Sequence, residues 1–166
     1  AFSSVLGVWH GVPFLFDEGA WRLDRDALAA AVGDSTAGML LMSPSMPSGG
    51  TVDADDWELI CDLCRDRDLF LIYDSAMERL LFDDRPLIHP LHHDGMAERT
   101  VVVGSLSKEH RMIGWRVGWV AGPAETIEEQ CAWCFRNLQK VLELGGATLG
   151  DVGRVLVWMR SPETRA

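Results

Sequence analysis

Five side chains that could do chemistry stand at or near the ends of apolar, strand-like runs. Asp74 follows LFLIY, and Ser105, Ser107, Lys108 and Arg116 lie in VVVGSLSKEHRMIGWRVGWVAG. A lysine forms a Schiff base with an aldehyde only as the neutral amine, so it needs a site that lowers its pKa. Two hydroxyls and a guanidinium beside it are the usual equipment for holding a phosphate. A carboxylate at a strand end can keep a pyridine nitrogen protonated, which makes that ring an electron sink. Aldehyde, phosphate and pyridinium are the three handles of pyridoxal phosphate (PLP), which is therefore the cofactor expected. Each residue also has a plainer alternative: a surface charge for Lys108, a turn or cap for Asp74, loop hydrogen bonding for Ser105 and Ser107, and a surface salt bridge for Arg116.

Such a site needs a framework that brings separate strand ends together, and the chain reads as one. GVPFLF reads as a short strand, followed by a turn and a helix from about Asp24 to Val32. GMLLM (38–42), LFLIY (69–73), TVVVG (100–104) and VGWVAG (117–122) are continuous apolar runs bounded by turn residues, the pattern of strands buried on both faces. SPSMPSGGTV is a proline- and glycine-rich loop, and Asp53 is placed to cap a helix running to about Asp66. Apolar strands alternating with amphipathic helices predict an α/β protein, a three-layer α/β/α arrangement with a mostly parallel sheet. In open sheets of this kind ligands bind beyond the carboxyl ends of the strands. Those ends carry Asp74, Ser105, Ser107 and Lys108.

Composition limits the alternatives. The 166 residues are 48% hydrophobic and 24% charged, which suits a globular domain. A net charge of −10 disfavours nucleic acid and anionic membranes as partners. No apolar run approaches the roughly 20 residues needed to span a bilayer and none reads as a cleavable signal, so the expected location is the cytoplasm. The chain opens on Ala1 rather than Met, as expected of a processed or excised segment. Cys61/Cys64 and Cys131/Cys134 are C-x-x-C pairs, but each falls on helical spacing with apolar neighbours, so buried thiols are expected rather than a zinc site. His89, His92 and His93 lie in a proline-containing loop without a matching carboxylate pattern and are read as solvated loop; no metal is expected. Trp21, Trp57, Trp115 and Trp119 are read as packing residues.

The segment SLSKEHRMIGWRVGW resembles the S-x-S-K-x-x-x-x-x-G-x-R-x-G signature of the class I/II aminotransferases, the fold-type I PLP enzymes. YDSAMERLLFDD is similar to their D-[ES]-x-Y-x-x-L-x-[FY] segment, and SPSMPSG stands where they have N-P-x-N-P-[TS]-G. The resemblance covers about residues 5–128 and keeps order and spacing. It implies that Lys108 is the Schiff-base lysine and proton shuttle, that Asp74 pairs with the pyridinium nitrogen, and that Ser105, Ser107 and Arg116 bind the phosphate. It also implies transamination between an amino acid and a 2-oxo acid, in a homodimer or with a partner chain completing the site. Two departures fall on one cofactor atom. The second asparagine of N-P-x-N-P and the tyrosine of D-x-x-Y, which both bond the phenolic oxygen, are Met46 and Met77 here, and Met offers no donor. The expectation is either retained PLP binding with altered electronics or loss of normal transamination.

Family members are considerably longer, so residues 1–128 are expected to form an incomplete large domain. The runner-up reading is a non-catalytic or partner-completed PLP-binding segment. From about Glu129 the tail instead resembles a helix–strand fragment of the reactive-intermediate deaminase (Rid) family. Asn137, Leu138, Val141, Leu142, Glu143, Gly146, Ala147, Leu149, Asp151, Val152, Val155 and Val157 match its pattern, which sets residues 129–166 apart and implies, as a further alternative, fusion to a Rid-like enamine/imine deaminase.

Overall fold

The computed structural model describes residues 10–115 and 117–123, together with 132, 136, 139, 140, 142–146, 148 and 150. The chain divides into two compact units, Ala1–Ile127 and Glu128–Ala166. Arg116, Cys131, Cys134 and most of the Rid-like positions lie outside the described residues. In the second unit, the Gln139 side-chain amide donates to Glu143 Oε1 at 2.9 Å, one helical turn on.

The first unit opens with a hairpin that the sequence reading missed. Strand β1 (Phe14–Asp17) pairs antiparallel with β2 (Ala20–Leu23). The two-residue turn between them, Glu18 and Gly19, has positive φ at both positions, as a type I′ turn requires to match strand twist. Helix α1 (Arg25–Ala31) starts at Asp24, whose carboxylate accepts from the Ala27 amide at 2.9 Å.

Strand β3 (Gly38–Met42) leads through the proline-rich loop to helix α2 (Ala54–Asp66). Asp53 caps it as expected, within a reciprocal capping box. Its carboxylate accepts from Asp56 N at 2.8 Å, while Asp56 Oδ2 accepts from Asp53 N at 3.0 Å. Arg25 bonds both carboxylates and so fastens α1 to the start of α2. The other end stops at Asp68, with φ +50°. Leu69 N there donates to Cys64 O and Asp68 N to Arg65 O, the paired bonds of a Schellman stop with aspartate in place of glycine.

Trp57, Ile60, Cys61 and Cys64 project from one face of α2 and are all at most 1% exposed. They form the core with Leu71 and Tyr73 of β4 (Phe70–Asp74), Val102 of β5 (Thr100–Ser105) and Met96. Full burial of a large apolar side chain is worth about 1.5–3 kcal/mol, so Trp57 and Ile60 fasten α2 into the core. The two cysteines are free thiols inside this core, and burial pushes both pKa values up to about 11. They are packing groups, as their spacing predicted.

A four-stranded sheet follows the order β3-β4-β5-β6, with β6 at Gly118–Ala121. The first three strands are parallel, and β6 returns antiparallel beside β5. Helices against a mostly parallel sheet make this an α/β fold, as expected. The expectation of strands buried on both faces needs correction. Leu71 and Tyr73 are covered, whereas Leu40, Phe70 and Ile72 are 56%, 54% and 37% exposed. The apolar runs did encode strands, but the described helices supply cover to one side, giving a burial that alternates along β4.

Two further expectations change. His89 is not solvated: it stacks edge-on against the buried Tyr73, with ring centroids 5.3 Å apart, and its Nδ1 accepts from the Leu91 amide. Of the four tryptophans read as packing groups, only Trp57 is buried, and Trp115 is 72% exposed. Among the described residues no cluster of His, Cys, Asp or Glu could hold a metal, and no helix is long and apolar enough to cross a membrane.

Candidate cofactor site

Parallel register determines which residues share the carboxyl edge. Met42 pairs with Asp74, so β3 and β4 end level, and Asp74 pairs with Val103, two residues before β5 ends at Ser105. The loop SPSMPSGG, the carboxylate of Asp74 and the SLSK segment therefore emerge on one edge. Asp74, Ser105, Ser107 and Lys108 share that edge, while Arg116 lies outside the described residues.

Asp74 is half-buried as the last residue of β4. Its Oδ1 accepts from Ala76 N at 3.0 Å, a bond that turns the chain and fixes the carboxylate without using its second oxygen. Next, Ser75 is buried and donates from both N and Oγ to Val103 O, at 2.8 and 3.2 Å. The turn after β4 is thus fastened to the last stretch of β5.

Ser105 ends β5 and caps helix α3 (Leu106–Glu109), its Oγ accepting from Ser107 N at 3.1 Å. Local loop bonding, the plainer reading of Ser105, is thus present; the hydroxyl hydrogen stays available to a ligand. Lys108 lies on this four-residue helix with its side chain exposed. The helix is held by backbone as well, since Leu106 N donates to Val117 O at 3.1 Å. Gly104, just before the cap, faces Trp119 across the β5–β6 pair, and the indole occupies the space a Cβ would need.

On the β3 side, Ser43 is buried. Its Oγ accepts from Val52 N at 3.0 Å and its carbonyl accepts from Tyr73 Oη at 3.1 Å. Burial raises the Tyr73 phenol far above its ordinary pKa, so it remains a proton donor. The loop closes through Ser45 N to Gly50 O and Gly49 N to Ser45 O, both 2.7 Å, and contains two cis peptides, Ser43–Pro44 and Met46–Pro47. Met46 is 57% exposed and Met77 half-buried.

Two carboxylates near this edge were not singled out from the sequence. Glu78 is 9% exposed, and its Oε2 has no hydrogen-bond partner; His89 Nε2 stands 3.7 Å away. Burial, then the charge of Glu109, raises the Glu78 pKa, with Arg79 opposing. Burial and His92 lower that of His89. Glu109, the neighbour of Lys108, accepts from the backbone N of Arg79 at 2.9 Å. No local pattern signals that bond, because its donor is a main-chain amide 30 residues away.

The profile of the family "Aminotransferase class I and II" matches residues 9–141. The chain belongs to this family, whose members use pyridoxal phosphate. The match also runs into the tail read as Rid-like. Arginine–pyruvate transaminase AruH of Pseudomonas aeruginosa is 43% identical over 107 residues, 64% of this chain and 27% of that protein. The probable N-succinyldiaminopimelate aminotransferase DapC of Mycobacterium tuberculosis is 36% identical over 116 residues, covering 70% of this chain and 29% of that protein. Among solved structures, N-succinyldiaminopimelate aminotransferase from Mycobacterium tuberculosis superposes with a TM-score of 0.71 at 34% identity, covering 76% of this chain and 33% of that one. The chain therefore spans about a third or less of the length of these relatives.

The residues present fit the cofactor in chemical type: one carboxylate, two hydroxyls and one primary amine stand at or just beyond the strand ends of the edge where open α/β sheets take ligands.

Proposed function

We propose that this chain supplies the cofactor-holding strand edge of a PLP-dependent aminotransferase, acting on an amino acid and a 2-oxo acid. The register Asp74↔Val103 carries the reading, because it sets the carboxylate of β4 beside the strand that leads to Lys108. Family membership supports it. When bound, the cofactor supplies an electron sink for the carbon that loses a proton. The chain's own residues do the rest. Lys108 would hold the cofactor through its Nζ, the aldehyde oxygen leaving as water, and would carry the proton between substrate atoms. Asp74, through the oxygen not engaged by Ala76, would keep the ring nitrogen protonated. Ser105, Ser107 and Arg116 would donate to the phosphate.

A second reading is favoured by coverage: the chain is a segment whose site is completed by a partner chain or a second copy, and alone it binds cofactor without turnover. A cytoplasmic location belongs to either reading. The test is an absorbance titration with PLP. A band near 400 nm, on the order of that of a protonated lysine imine, is expected in the native chain and absent in Lys108→Ala. No band in either protein refutes the proposal.

A further inference from the structure

Helix α3 has four residues and buries none of them. A helix that short is not stable by itself, so the placement of Lys108 depends on what ties the helix down. Ser105 caps it internally, and the Leu106–Val117 backbone bond ties it to the chain that follows. Among the described residues, the hydrogen bond from a side chain of α3 to a distant part of the fold is the one Glu109 accepts from Arg79 N.

That bond closes a ring of structure. From Asp74 the chain turns through Ser75, which bonds Val103 O, and through Glu78, whose N donates to Ser75 O at 3.1 Å, to Arg79. From Arg79 N the ring passes to Glu109, back one residue to Lys108, and down β5 to Val103. Val103 is the register partner of Asp74. The carboxylate and the amine proposed to grip opposite ends of one cofactor are thus parts of one closed hydrogen-bonded loop.

We infer that Glu109 is a positioning residue for Lys108: by holding the Arg79 amide it fixes the distance between the lysine helix and the Asp74 turn. The inference rests on the proposed role of Lys108. A site held by rigid supports loses less on binding than one that must be ordered. Removing the acceptor leaves Lys108 present but free to wander relative to Asp74.

The test compares the 166-residue chain with Glu109→Ala and Glu109→Gln. Amide exchange at Arg79 reports the bond without any cofactor. Borohydride trapping of PLP at Lys108, followed by peptide mass, reports the consequence. Glu109→Ala is expected to lose Arg79 protection and to trap at Lys108 roughly fivefold more slowly, the ratio an ordinary intramolecular hydrogen bond gives. Glu109→Gln keeps an acceptor oxygen and is expected to restore both, which separates position from charge. Near-UV circular dichroism checks that each variant is folded. Unchanged trapping in Glu109→Ala despite lost protection overturns the inference, as does a Gln variant behaving like Ala. No trapping at Lys108 in the native chain overturns the proposed function and this inference with it.

Discussion

Gly104 offers a sharp test of how the site is built. It faces Trp119 across the β5–β6 pair, and a methyl group there would overlap Cε2, Cζ2 and Nε1 of the indole. Ordinary contact demands that the ring withdraw by about 1 Å or more, which no small rotamer adjustment provides. Trp119 is 44% exposed, so the ring can swing toward solvent, but it then loses its contact with the β5 backbone. Overpacking of this kind costs about 1–3 kcal/mol. For a chain of this size that corresponds to a fall in Tm of roughly 3–10 °C. Gly104→Ala should therefore melt earlier than the native chain. If the indole is the cause, Gly104→Ala in a Trp119→Ala background should cost much less, giving a coupling of about 1 kcal/mol or more in a double-mutant cycle. Urea unfolding of the four proteins measures this. Additive effects, or a Gly104→Ala variant as stable as the native chain, would refute the close-packed pairing that delivers β5 to Ser105 and Lys108.

Two other outcomes follow from the same geometry. The Glu78 carboxyl titrates above its ordinary value in the native state, because of burial and Glu109, so the folded chain holds that proton more tightly than the unfolded one. Its stabilising contribution is complete below the ordinary glutamate pKa of about 4.3 and is lost as pH rises through the higher native value. Glu78→Gln removes this dependence, so its stability relative to the native chain should improve from about pH 4 to pH 7; a pH-independent difference in urea unfolding would contradict the assignment. Met77→Tyr restores a donor at the position the family pattern assigns to the cofactor's phenolic oxygen. Stabilising that oxygen without the imine proton should lower the pH midpoint of the absorbance change of PLP-loaded protein by about one unit, the scale of a hydrogen bond to a charged acceptor. An unmoved midpoint would show that Met77 does not address that atom.

Sequence carried the parts of this fold that depend on local rules. GMLLM was bounded correctly as β3 because it is a continuous apolar run between turn residues, and Asp53 marked the start of α2 because its carboxylate can reach the third amide of the helix. The hairpin at the start escaped because Glu18–Gly19 is not one of the common type I′ pairs, although it adopts that geometry. One-sided burial of the sheet escaped because an apolar run shows what a strand can bury, not what covers it. Asp74, Ser105, Ser107 and Lys108 were legible as candidates because strand ends set the ligand edge of such sheets. Glu109 and Glu78 were not, since their partners come from elements joined only by the fold.

The proposed role of Lys108 as the cofactor's anchor can be tested on the chain directly. The measurement is borohydride reduction of the chain mixed with PLP, followed by peptide mass mapping. One reduced phosphopyridoxyl adduct is expected, located on Lys108 and missing from Lys108→Ala. An adduct spread over other amines, or one that persists in Lys108→Ala, would contradict it.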